Sequence, residues 1–298
     1  MKIALTLIKR NIKLFFKDKG MFFTSLITPL ILLVLYATFL SNVYRDSFAL
    51  SFPEGMPIPS DIIDGLVGGQ LISSLLAVSC ITVAFCSNFL MVQDRANGTI
   101  KDLRISPISA NVLSLSYYVA TLVSTLLICV TALIICLGYT AMIGWYMSVS
   151  DVFLLLLDVI VLVFFGTALS SFINFFLSSQ GQISAVGTII SAGYGFICGA
   201  YMPISSFSDG LQKVISFLPG TYGTSLFRNH AMSGAIRALK EEGIPDVVID
   251  SIRDAVDCNV YFFGERVEPY VMYVILVSSI ALLVGGYILL NVFRKKDK

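Results

Sequence analysis

Six long apolar runs, at residues 21–40, 66–92, 112–138, 152–177, 183–202 and 270–293, alternate with shorter polar stretches along the 298-residue chain. Each is about 20 residues or longer, the length at which a helix crosses the roughly 30 Å hydrocarbon layer of a bilayer. Only Asp158 carries a formal charge inside any of them. Backbone groups in lipid must be satisfied locally, which leaves helices or closed barrels. Unbroken apolar runs lack the alternation of a barrel strand. The pattern predicts an all-α integral membrane protein with six transmembrane helices.

Composition agrees. Hydrophobic residues make up 56% of the chain and charged residues 13%, against roughly 25% charged in a soluble domain, so the apolar surplus has to face lipid. The charges are unevenly placed. The two termini with the 93–111 and 178–182 loops hold 13 Lys/Arg and 4 Asp/Glu, and the loops on the other side hold 7 and 14. Positive charge stays cytoplasmic, which predicts a multi-pass protein of the cell (plasma) membrane with both termini inside and the 41–65, 139–151 and 203–269 loops outside. The N-terminal basic stretch leads into a run of full spanning length with no small-residue cleavage pattern, so residues 1–40 are expected to stay in the mature chain. A net charge of +1 gives no sign of a nucleic-acid partner.

Two cytoplasmic features stand out. Lys2, Lys9, Arg10, Lys13 and Lys17 share one sector of a helical wheel, and Ile3, Leu7, Ile8, Ile12, Leu14 and Phe15 cover the rest. This spacing predicts an amphipathic elbow helix over residues 1–20, lying flat with its cations toward lipid headgroups. Asp18-Lys19-Gly20 permits a sharp turn into the first span, where Pro29 allows a kink. The second feature is the polar stretch 93–107. Gly98 permits a tight bend, Thr99 can cap a short helix with Asp102 at its third position, and Ile100 with Leu103 gives that helix an apolar edge. Pro107 ends it and pushes Ser106 toward extended geometry. One to two turns of helix across the membrane mouth, with Arg95, Lys101 and Arg104 available to a partner, are predicted. On the residues alone an ordinary polar loop explains the stretch equally well.

Gly98, Thr99, Ile100, Leu103, Ser106 and Pro107, set between the second and third spans after a basic amphipathic N-terminus, resemble the transmembrane subunit of the type-2 ABC exporters. Asp94 and Arg95 match the acidic-basic lead-in of that loop, while Ala96 stands where the family often has an acid. The resemblance covers the whole chain in layout and this loop in motif. It implies a permease domain over residues 21–298 and a coupling helix at 93–107, where Asp94, Arg95, Gly98, Thr99, Ile100, Leu103, Arg104, Ser106 and Pro107 meet a cytoplasmic ABC ATPase subunit. It also implies a second permease copy or paralogue, as a homodimer or heterodimer. ATP and Mg would be used by the partner, with no cofactor bound by this chain. The chain contains no Gly-x4-Gly-Lys-Ser/Thr phosphate loop, so ATP hydrolysis falls to a separate subunit.

The stretch 203–269 is expected to be an extracellular re-entrant and cap region. Its segments 210–219 and 221–232 are apolar but too short to span, punctuated by Met202-Pro203 and Pro219-Gly220. The resemblance implies that paired helices here re-enter from outside. Val247, Val248, Ile252 and Val256 recur at helical spacing among acids and predict a water-facing amphipathic helix. In the fifth span Gly187, Ser191, Gly195 and Gly199 recur every four residues and predict a ridge for close helix packing. Since the family's second and fifth spans line the substrate cavity, Ser73, Ser74, Thr82, Asn88, Thr188, Ser191 and Tyr194 are candidate wall residues.

Candidate chemistry is sparse. Five of the six cysteines lie in the spans without metal or disulfide spacing, and Cys258 is expected to be exposed outside. Asp158 reads as a structural carboxylate near the interface, and His230 has no ligand-spaced neighbour, so no metal site and no catalytic residue is expected. A membrane enzyme has too little to build on. The expected function is an exporter permease moving a hydrophobic or amphipathic substrate (drug, lipid, peptide or lipid-linked glycan) by alternating access. The competing reading is a secondary transporter or channel not driven by ATP.

Overall fold

The computed structural model describes residues 2–50, 52, 59–105 and 108–296. It is 84% helical. Helix α1 (Lys2–Lys17) is separated from α2 (Lys19–Leu35) by Asp18 alone, whose carboxylate caps α2 by accepting a 3.1 Å hydrogen bond from the Met21 amide. A π-helical turn, Tyr36–Leu40, continues α2 into α3 (Ser41–Leu50). The long α4 (Ser60–Ala96) is followed by the short α5 (Thr99–Ile105), then α6 (Ala110–Ile143), α7 (Val149–Asn174) and α8 (Gln180–Ile197). A 3₁₀ turn at Ile204–Ser206, α9 (Asp209–Ser216), α10 (Pro219–Glu241), α11 (Asp246–Ala255), the antiparallel hairpin β1 (Val260–Phe262) and β2 (Glu265–Val267), and α12 (Pro269–Lys296) complete the chain.

Five helical stretches are long and apolar enough to cross a membrane: Lys19–Ala49, Ser60–Ala96, Ala110–Ile143, Val149–Asn174 and Pro269–Val292. The expected fifth span is α8, which ends at Ile197 rather than 202 and is about 27 Å long at 1.5 Å per residue. Gln180, Gln182 and four glycines lower its hydropathy, and Gly199, at φ +74°, turns the chain out of the helix.

The organising element is α4. At 37 residues it is about 55 Å long, and it is enclosed by α2, α6, α7, α8 and α10. Its apolar stretch is wholly buried within the chain, whereas that of α12 is only 11% buried. Small residues permit this enclosure. A Cβ on Gly166 of α7 would lie 2.7 Å from the Cys80 carbonyl oxygen of α4, and one on Gly69 of α4 would lie 2.6 Å from Met232 of α10. Backbones that approach this closely gain dispersion contacts in place of lipid. Gly166→Ala is therefore expected to destabilise the fold by about 1–3 kcal/mol, the scale of overpacking, read as an earlier unfolding midpoint in detergent.

The region 203–269 departs most from expectation. The segment expected at 221–232 extends to Pro219–Glu241 as a 23-residue helix packed along the first half of α4, with Pro219 in its first turn. In α11 the buried residues are Ile249 and Ile252, followed by Val256 just past the helix, whereas Val247, expected on that face, is 81% exposed. The β hairpin was not signalled by any strand-length run. Its turn, Phe263-Gly264, has both φ values positive, at 50° and 91°, the geometry of a two-residue hairpin.

Candidate functional site

The end of the bundle that carries α5 holds a set of charged ties. Gly98, at φ +83°, makes the bend between α4 and α5. It also caps α5, its carbonyl accepting from the Lys101 amide at 2.8 Å, so Thr99 is the first helical residue and not the cap expected of it. Ile100 and Leu103 are half-buried against the main core, while Lys101 and Asp102 are exposed and Ile105 is 86% exposed. For Arg104 only the backbone is described, and Ser106 and Pro107 lie outside the described residues.

Asp94 and Arg95 point inward. The Asp94 carboxylate is buried and accepts from Arg10 Nη1 at 2.7 Å and from the Tyr117 hydroxyl at 2.6 Å, tying α4 to α1 and α6. Burial works against the Arg10 charge, and the bond and charge attraction of Asp94 together with Tyr117 more than offset it, raising the Arg10 pKa. Arg95 was expected to be available to a partner. Its guanidinium instead donates to the Phe175 carbonyl at 2.7 Å and to the Leu177 carbonyl, just beyond the last turn of α7, and lies 5.9 Å from the Phe175 ring centroid. Cations at a helix C-terminus complement its exposed carbonyls. Among the described side chains, the outward face of α5 is carried by Lys101, Asp102 and Ile105.

A cavity of about 1040 Å³ opens between α2, α4 and α8. Its wall is mainly apolar, with Thr24 and Thr28 from α2, Gln93 from α4, and Ser184, Thr188 and Ser191 from α8 supplying scattered polar groups. Of the seven candidate wall residues, Thr188 and Ser191 line it. The other five are internal. Ser74 accepts from Tyr36 of the π turn at 3.2 Å, Asn88 donates to Ser170 and Ser171 of α7, Ser73 and Thr82 bond the backbone of their own helix, and Tyr194 is buried beside Gly220. Gly187 faces Phe89 at the cavity wall and Gly195 lies under the Tyr201 ring, but Gly199 falls beyond the helix, so the expected ridge stops one step short.

At the opposite end, Arg228, His230 and Arg237 of α10 meet three acids, two from α7 and one from the turn after α11. Arg228 pairs with Asp257 at 2.9 Å and donates to the Gly199 carbonyl. His230 Nδ1 lies 2.6 Å from Asp158 Oδ2 of α7, while Tyr273 of α12 donates to Asp158 Oδ1. Arg237 pairs with Asp151, which also closes the capping box of α7 with Ser148. Asp158 and His230, read separately from sequence, are one buried polar group. Burial pushes the Asp257 carboxyl upward against the pull of Arg228. Cys258, expected outside, is buried beside Met232, and burial pushes its thiol up to about 12. Among the described residues no group of three or more His, Cys, Asp or Glu is placed to hold a metal ion.

A bundle of spanning helices around a buried α4, with a polar-dotted lateral cavity and a short exposed helix between two spans, defines a membrane transport component. The family model of the ABC-2 type transporter matches residues 4–231, and the chain belongs to that family. It is thus an ABC transporter permease, a multi-pass membrane protein whose family normally pairs with an ABC ATPase. No curated protein matches the chain.

Proposed function

We propose that this chain is the permease subunit of an ATP-driven exporter, moving a hydrophobic or amphipathic substrate out of the cytoplasm by alternating access. The observation that carries the reading is the linkage of α5 to its neighbours. Asp94 and Arg95, in the last turn of α4 beside α5, are bonded to α1, α6 and the end of α7. Ile100 and Leu103 seat α5 on the main core, so a push on the face bearing Lys101 and Ile105 would reach four helices at the tied end of α4. An ATPase subunit that binds and hydrolyses Mg-ATP would supply the push. The cavity between α2, α4 and α8 is the substrate path. It opens sideways, where a second permease copy or paralogue would close it. In this reading α8 is a sixth span, α9 and α10 re-enter from the outer side, α1 is an elbow helix in the cytoplasmic interface, and both termini face the cytoplasm of the cell membrane.

Lys101→Glu combined with Ile105→Asp is expected to reduce co-purification with the ATPase subunit about tenfold or more, since interface hot spots are centred on desolvated anchors, while leaving the permease fold and its unfolding midpoint unchanged. Retention of the ATPase at the parent level would remove α5 from the docking surface.

One observation favours the competing reading of a secondary transporter: a buried carboxylate bonded to the chain's single histidine inside a span is the kind of pair that carries protons. Transport in vesicles with a proton gradient and no ATP would decide for it.

A further inference from the structure

The end of the molecule opposite α5 contains a second, polar cavity of about 590 Å³, within the usual range for a small-molecule site. It lies between the 3₁₀ turn, α9 and the β hairpin. Half of its wall lies beyond residue 231, outside the segment shared with the family model.

The key residue is Asn259. It is only 6% exposed, it lines the cavity, and its side-chain oxygen has no hydrogen-bond partner. The amide orientation is fixed by chemistry. Its Nδ2 donates to Asp254 Oδ1 at 2.7 Å, and a carboxylate can only accept, so Oδ1 must face the other way. Asp254 Oδ1 also accepts from the Tyr261 hydroxyl at 3.0 Å, which leaves its second oxygen unused among the described residues. Three other polar side chains of the wall are already committed. Ser216 and Thr221 donate to backbone carbonyls, and Gln212 donates to the Phe207 carbonyl at 2.8 Å. Apart from the Lys213 ammonium, what the cavity offers is mainly acceptors.

Charge points the same way. Asp209, Asp254 and Asp257 face the cavity with Lys213 as its cation, and Asp257 is balanced from behind by Arg228. One negative charge is left uncompensated. Phe263 and Tyr261 stand at the cavity, 66% and 45% exposed, and can offer ring faces. A buried acceptor without a donor, a spare carboxylate oxygen and two aromatic rings together select a ligand that is cationic, donates N–H bonds and carries an apolar body.

We propose that this cavity binds primary ammonium compounds with an aromatic or aliphatic body. The ammonium donates to Asn259 Oδ1 and to the free Asp254 oxygen, and the apolar body lies against Phe263 and Tyr261. The site does not depend on the energy source proposed above.

The test uses the full chain in nanodiscs of zwitterionic lipid, with 2-phenylethylammonium as probe and calorimetric titration as readout. Saturable binding is expected. 2-Phenylethanol, which lacks the charge, and benzyltrimethylammonium, which lacks N–H donors, should each bind about tenfold or more weakly, the discrimination typical of charge-assisted bonds. Asp254→Asn and Phe263→Ala change exposed side chains and are expected to keep the parent unfolding midpoint while weakening 2-phenylethylammonium by about tenfold and threefold respectively. Asn259→Ala should abolish binding. Equal affinity for 2-phenylethanol, no saturable binding, or unchanged affinity in both Asp254→Asn and Phe263→Ala would overturn the proposal.

Discussion

Asp94→Asn is expected to lower transport by about tenfold or more while the associated ATPase continues to hydrolyse ATP. In the parent chain the carboxylate binds Arg10 at 2.7 Å and the Tyr117 hydroxyl at 2.6 Å, joining three helices at one buried point. Both bonds end on the same oxygen, Oδ2, so asparagine can still accept them there but loses the negative charge that holds Arg10. A hydrogen bond to a charged group contributes about 1.5–3 kcal/mol, discounted here because the Arg10 side chain is 29% exposed. With that discount the loss is on the order of the 1.4 kcal/mol that changes an equilibrium about tenfold. The measurement is substrate uptake into inverted vesicles alongside phosphate release in the same preparation. Exchanging the pair, as Arg10→Asp with Asp94→Arg, should recover part of the transport, and Tyr117→Phe should have a smaller effect. Parent-level transport in Asp94→Asn would show that motion does not pass through this tie.

The largest stability effect is expected at the other end. Arg228 is 1% exposed, pairs with Asp257, and donates to the Gly199 carbonyl where α8 ends. Arg228→Ala leaves the Asp257 carboxylate buried without its partner, a loss of about 3–5 kcal/mol when a buried pair is broken from one side. Removing both charges, as Arg228→Leu with Asp257→Leu, should recover much of that loss, because hydrophobic replacement of a buried pair is often neutral. All six cysteines are free and buried, so a thiol-reactive fluorophore reports unfolding directly. The single variant should label at a clearly lower temperature than either parent or double variant. Equal midpoints in all three proteins would remove the pair from the fold's support.

How far these sites could be read from sequence depended on which physical signal each used. The span-length helices and the bend at Gly98 were legible because length, apolarity and positive φ are local properties. The facing of α4 was not. A helix apolar all round has no stripe to point the core, so Ser73, Ser74, Thr82 and Asn88 gave no sign that they face other helices of the same chain and not a pathway. The length of α10 was hidden for the opposite reason. Arg228, His230 and Arg237 broke its apolar pattern, and their partners Asp257, Asp158 and Asp151 come from distant segments that only the fold brings together. Asp94 and Arg95 were recognised as part of the loop, but a motif marks residues without saying which way their side chains turn.

The complete enclosure of α4 has a consequence for how the protein is made. Its most apolar 18-residue stretch, of mean hydropathy 2.2, lets α4 enter the bilayer as an independent helix, yet four of the five helices that surround it are synthesised after it. Newly inserted, α4 must present Gly68 to lipid until Thr140 of α6 covers it, and Gly69 until Met232 of α10 arrives some 120 residues later. Biogenesis therefore passes through a stage at which the future centre of the molecule lies on its outside, and a chain stopped before α10 would hold α4 there, a ready target for membrane quality control.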